Sequence, residues 1–137
     1  MARIMAIDYG LKRTGIAVTD PLQIIASGLT TIHSPDLLAF LKKYLATENV
    51  ELIIIGMPLN LDDSETHATA LVKAAVKKLH KAFPHIPLKE VDERFTSKMA
   101  KDAMLQMGLK KKDRRNKKIV DEIAATILLQ EYLGITS

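Results

Sequence analysis

The chain has no cysteine and no tryptophan in 137 residues, and aromatic side chains make up only 4% of it. Without cysteine there is no disulfide, no thiolate metal site and no thiol nucleophile. A cytoplasmic protein is the expectation that follows. With so few aromatics, a stacking platform of the kind that grips single-stranded nucleic acid is not available. Long apolar runs are missing too: none approaches the ~20 residues that cross a bilayer. The first short run is cut by Asp8 before it could form the core of a signal peptide. No membrane partner is expected.

What is present is ordinary for a folded domain. The chain is 47% hydrophobic and 26% charged, enough apolar material for one core, so residues 1–137 are read as a single domain. The net charge of +4 is unevenly spread. Lys98 to Lys118 holds nine Lys or Arg against Asp102 and Asp113, which leaves the rest of the chain at −3. One local basic surface facing a polyanion fits that asymmetry.

The pattern of elements reads β-β-β-α-β-α-β-α-α. "RIMAIDYG" and "TGIAVTDP" form an antiparallel hairpin, and "IIASGLTTIH" adds a third extended segment. "HSPDLLAFLKKYL" starts a helix with Ser34 as N-cap, Pro35 at the first helical position and Asp36 in the first turn. Leu37, Leu38, Leu41 and Leu45 form its apolar stripe. "VELIIIGMP" is a central strand buried on both faces. Ala68, Leu71, Val72, Ala75, Val76, Leu79 and Phe83 mark the next helix, and "IPLKEVDERF" returns as a strand. "TSKMAKDAMLQMG" and "NKKIVDEIAATILLQEYLG" are the last two helices. The expected fold is α/β: a three-stranded antiparallel meander plus two parallel strands in one mixed sheet, with helices on both faces.

Three acidic positions fall where the pattern predicts burial or a strand end. Asp8 closes the first strand, Asp92 and Glu93 close the last, and Asp121 sits beside Ile119, Val120, Ile123, Ala124 and Ile127 on the final helix. Ala124 and Ala125 would let that turn approach the sheet closely. Three such carboxylates make a hard-oxygen cage suited to Mg²⁺ or Mn²⁺, and paired cations are what phosphodiester hydrolysis uses. Taken singly, each acid has a plainer reading: Asp8 as a turn residue, Asp121 as the ion-pair partner of Lys117, and the Asp92–Arg94 run as a solvated loop. Lys12 and Arg13 in the first hairpin, and Arg94 beside Glu93, are either phosphate contacts or solvated cations. Lys110, Lys111, Lys112, Arg114 and Arg115 precede the helix of Asp121 and are candidate backbone contacts for a nucleic acid.

"AIDYGLKRTGIAVTD", "IIIGMPLNLD", "VDERFTS" and "VDEIAATILLQEYL" together resemble the four motifs of the YqgF family, in family order and across nearly the whole chain. The resemblance implies an RNase H-like fold and a divalent-metal-dependent nuclease, with Asp8, Glu93 and Asp121 as catalytic metal ligands and Mg²⁺ or Mn²⁺ as the cofactor. Strand alternation opposes Asp92 to Glu93, and spacing alone does not tell which of them faces Asp8. The implied substrate is structured nucleic acid: first pre-16S rRNA during ribosome biogenesis, then a Holliday junction in recombination and repair. A non-catalytic RNA-binding assembly factor is the alternative of another class. Monomer and homodimer both remain open. "DYGLKRTG" also resembles the phosphate hairpin of the actin, Hsp70 and sugar-kinase group, but those proteins close two such domains around ATP. One departure from the family stands out: Asp62-Asp63 replaces the usual Asp-Gly, a less permissive turn.

Overall fold

The computed structural model describes residues 2–58, 66–92 and 117–134. Strands β1 (Arg3–Tyr9), β2 (Arg13–Thr19) and β3 (Ala26–His33) lead through a 3-10 turn, Ser34–Asp36, into helix α1 (Leu37–Thr47). Strand β4 (Val50–Met57), helix α2 (His67–Ala82), strand β5 (Leu88–Asp92) and helix α3 (Lys117–Leu133) follow. The helix expected over 96–108 and the loop at Asp62-Asp63 lie outside the described residues. None of the described helices is long and apolar enough to cross a membrane.

The five strands form one sheet in the order β3-β2-β1-β4-β5. β1 pairs antiparallel with β2, and β2 with β3. β4 runs parallel to both β1 and β5. The mixed sheet is the expected one, because two short connections make the meander and helical crossovers make the parallel half. The chain changes direction across the sheet between β1 and β4. Their carboxyl ends are therefore where sites gather in sheets of this kind, and β1 delivers Asp8 there.

Each face of the sheet has its own core. Met5, Ile7, Ile16, Ile53 and Ile55 pack with Leu37 and Leu41 of α1 and with Val72, Val76 and Leu79 of α2. Ile4, Ala6, Ala17 and Ile54 pack with Ala125, Leu128 and Leu129 of α3. The small residues on this second face set the distance: Ala6, Ala17 and Ala125 are fully buried, so α3 lies close to the strands.

Two local expectations change. Ser34 does not cap α1, since the intervening 3-10 turn puts Asp36 at the N-cap position, without a side-chain cap bond, and the Ser34 hydroxyl is used elsewhere. On α2, Ala68 and Leu71 face solvent while Thr69 is buried. Thr69 closes a capping box with Thr66 and donates its hydroxyl to the Pro58 carbonyl. A polar residue holds this inward position because it satisfies the backbone leaving β4.

Candidate active site

The site is built around a glycine. Strand alternation turns Asp8 to the same face as Ile4 and Ala6, the face covered by α3. Across the β1–β2 ladder Asp8 is paired with Gly15. A Cβ added to Gly15 would lie 2.1 Å from the carbonyl oxygen of Asp121 and 2.4 Å from its carbonyl carbon. The backbone of Asp121 thus rests directly on Gly15, and the strand partner of Gly15 is Asp8. A glycine inside a strand marks such close approach. One turn further along α3, Ala125 and Leu128 continue the sheet-facing row that Asp121 begins. Asp8 and Asp121, 113 positions apart in sequence, are neighbours through one missing side chain.

Among the described side chains Asp121 pairs with Arg13, while the side chain of Lys117, its expected partner, lies outside them. Arg13, the first residue of β2, sends its Nε to Asp121 Oδ2 at 3.0 Å. Arg13 and Gly15 lie two positions apart on the strand and therefore share a face, which is why the guanidinium reaches the acid resting on Gly15. About a third of the Arg13 side chain and a quarter of that of Asp121 remain exposed, so the pair stands at the rim of the sheet and open to solvent. Lys12 is exposed at the hairpin tip.

That tip is held from beneath. Ser34, 4% exposed, donates its hydroxyl to the Gly10 carbonyl at 2.5 Å. Its backbone N–H donates to the Lys12 carbonyl at 2.9 Å. With the Ser34 proton committed to Gly10, the buried Thr14 hydroxyl, 2.8 Å away, is the donor to Ser34 Oγ. One serine therefore fixes the carbonyls on both sides of Leu11, and the loop carrying Lys12 into Arg13 is rigid. Ser34→Ala strips a partner from Gly10 O and from a buried hydroxyl, at a cost of roughly 1–3 kcal/mol. A lowered urea midpoint and faster amide exchange across residues 10–14 are the expected results.

β5 ends on Asp92, and its alternation fixes the face of that acid. Lys89 Nζ sits 5.1 Å from the ring centre of Tyr132 on α3, and Val91 packs with the α3-side core. Asp92, the next residue, consequently belongs to the opposite face with Leu88. Among the described residues no group of three His, Asp or Glu side chains gathers around one point. Glu93 and Arg94 lie outside the described residues, as do Lys110, Lys111, Lys112, Arg114 and Arg115. The described donors, two carboxylates on one face at the mouth of the sheet, have the chemistry that a hard divalent ion takes.

Sequence reasoning missed two parts of this site. Gly15 carried a signal, as a glycine within an apolar strand run. Ser34 carried none, because a serine before Pro-Asp reads as a helix cap whatever its hydroxyl does.

Comparison with known proteins agrees with this architecture. Residues 2–134 match the family model described as RuvX, Holliday junction resolvase. A protein of Christiangramia forsetii is 53% identical over 133 residues, which cover 97% of this chain and 98% of the relative. One of Phocaeicola vulgatus is 56% identical over 97% of this chain and 96% of the relative. Both carry a provisional name as pre-16S rRNA nucleases. Among solved structures, Thermus thermophilus RuvC in complex with a Holliday junction substrate superposes with a TM-score of 0.53 at 15% identity, covering 98% of this chain and 97% of that one. A second structure of Thermus thermophilus RuvC gives 0.51 at 13% identity, with 96% of each chain covered. At these identities the likeness speaks for the fold.

Proposed function

This chain belongs to the RuvX family, also called YqgF, and we propose that it is a divalent-metal-dependent nuclease acting on pre-16S rRNA. Nuclease identity rests on family membership and on the RuvC-like fold. The observation that carries the catalytic assignment is the seating of Asp121 on Gly15, the strand partner of Asp8. Asp8 and Asp121 are two of the proposed ligands. Because Asp92 belongs to the other face of β5, Glu93 is the proposed third. Mg²⁺ or Mn²⁺ held there would supply the charge that polarises a phosphodiester and lowers the pKa of a water.

The protein's own residues do the rest. The rigid hairpin presents Lys12 beside the acids as a phosphate contact. Lys110, Lys111, Lys112, Arg114 and Arg115, just before α3, are proposed to hold the nucleic-acid backbone without reading its sequence. Neutralising these five should weaken RNA binding and reduce the slope of log affinity against log salt by up to about 3.5 for single-strand contacts. An unchanged slope would return the segment to solvated surface.

The reading is tested by cleavage of a 5′-extended 16S precursor fragment, a four-way DNA junction and plain duplexes, each with Mg²⁺, with Mn²⁺ or with EDTA. Metal-dependent cleavage of the precursor is expected. Preferential, paired cutting of the junction would favour the resolvase reading that the family description carries. Binding without cleavage of any substrate would leave the assembly-factor reading.

A further inference from the structure

Arg13 touches a proposed metal ligand directly. The guanidinium bonds Asp121 Oδ2 through Nε at 3.0 Å. A cation at that distance satisfies the carboxylate and opposes a second cation approaching it. The same side chain stands at the rim of the sheet, two residues past the exposed Leu11 and next to the exposed Lys12, where a substrate phosphate bound near the acids would also lie. Its planar fork suits carboxylate and phosphate equally. Its backbone, by contrast, is fixed: β2 starts at Arg13, the residue pairs with His33, and Ser34 holds the preceding carbonyl of Lys12. Only the side chain can exchange partners.

We propose that Arg13 is an exchange residue: it neutralises Asp121 until a divalent ion takes that carboxylate, and then transfers to a phosphate of the nucleic acid. The proposal rests on the metal-ligand reading of Asp121 given above. Its consequence is reciprocal coupling. The ion releases Arg13 for the phosphate, and a phosphate that captures Arg13 exposes Asp121 to the ion, so metal and nucleic acid each tighten the binding of the other by the same factor. A protein arranged this way loads its metal weakly when no nucleic acid is present.

Mn²⁺ binding to the protein alone, followed by calorimetry or by the relaxation of bulk water, tests the first half. Arg13→Gln removes the competing charge and should tighten Mn²⁺ binding by roughly fivefold or more, within the usual span of coupling between sites. Arg13→Met, which keeps the stem for packing, should behave alike if the Gln variant folds poorly. Arg13→Lys keeps the charge and should stay near the parent. Unchanged or weaker Mn²⁺ binding in both neutral variants overturns the exchange and makes Arg13 a positioning or purely structural partner. If instead Asp121→Asn binds Mn²⁺ as well as the parent does, the ligand assignment fails, and the exchange fails with it.

The second half is read by stopped-flow association of the precursor RNA, on a timescale before cleavage accumulates. In EDTA, Arg13→Gln should bind the precursor RNA like the parent, because Arg13 is committed to Asp121. In Mn²⁺ the variant should bind several-fold more weakly and with a salt slope lower by about one contact. Equal weakening under both conditions would mean a permanent phosphate contact and would overturn the exchange.

Discussion

Asp8→Asn and Asp121→Asn are each expected to lower phosphodiester cleavage by roughly a thousandfold or more while the protein stays folded. A bound divalent ion contributes several kcal/mol of transition-state stabilisation, and each 1.4 kcal/mol or so is a factor of ten in rate. Asn keeps the shape of Asp and removes the charge that holds a cation. The structural cost is small at both positions. Asp8 is half-buried at the open end of β1, and the Arg13–Asp121 pair is partly exposed, where such pairs contribute about 0–1 kcal/mol. Glu93→Gln should match the two Asp variants if Glu93 is the third ligand, and Asp92→Asn should not. Cleavage at the parental rate by either Asp variant, with its fold verified by circular dichroism, removes that residue from the catalytic set.

Gly15→Ala is expected to be the most damaging single-methyl change in the described structure. The added carbon would sit 2.1 Å and 2.4 Å from the carbonyl atoms of Asp121 and 3.0 Å from the backbone nitrogen of Glu122. These are helix backbone atoms and cannot rotate away, so α3 must lift off the sheet and take its core residues with it. Overpacking of this kind costs about 1–3 kcal/mol and sometimes more; a value near the upper end, with a Tm lower by roughly 10 °C, is expected. The catalytic loss should exceed the loss of stability, because the shift separates Asp121 from Asp8. Gly28→Ala is the control. There the nearest atoms belong to the Glu122 side chain, which can swing aside at a cost of about 1 kcal/mol, so Gly28→Ala should retain most activity. Equal behaviour of the two variants, measured by thermal melting and cleavage, would contradict the role given to Gly15.

The sheet was legible because its signals were local and of one kind. Past the exposed Glu51, "LIIIGM" has no polar break and becomes the doubly buried stretch of β4, and the short links between the first three strands permit little except a meander. The acids were legible as exceptions to pattern: Asp8 interrupts an apolar strand, and Asp121 begins the row that continues through Ala125 and Leu128. The approach of the Asp121 backbone to Gly15, the strand partner of Asp8, could not be read, because it depends on which glycine lies under which turn of α3, a tertiary fact. The same limit applies to Arg13. A basic residue in a hairpin reads as a phosphate contact or a solvated cation, and only the docking of α3 gives it Asp121 as a partner. On α2, the apolar period included Leu71 and passed over Thr69, since periodicity weighs hydrophobicity and not the unsatisfied carbonyl that Thr69 serves.

Anomalous diffraction from crystals grown or soaked with Mn²⁺ puts the carboxylate assignment to its most direct trial. The expected map has manganese peaks at the carboxyl end of β1, with oxygens of Asp8, Glu93 and Asp121 within about 2.0–2.6 Å, the range of hard-cation contacts. Manganese bound elsewhere on an otherwise intact fold, with those three side chains turned apart, would contradict it.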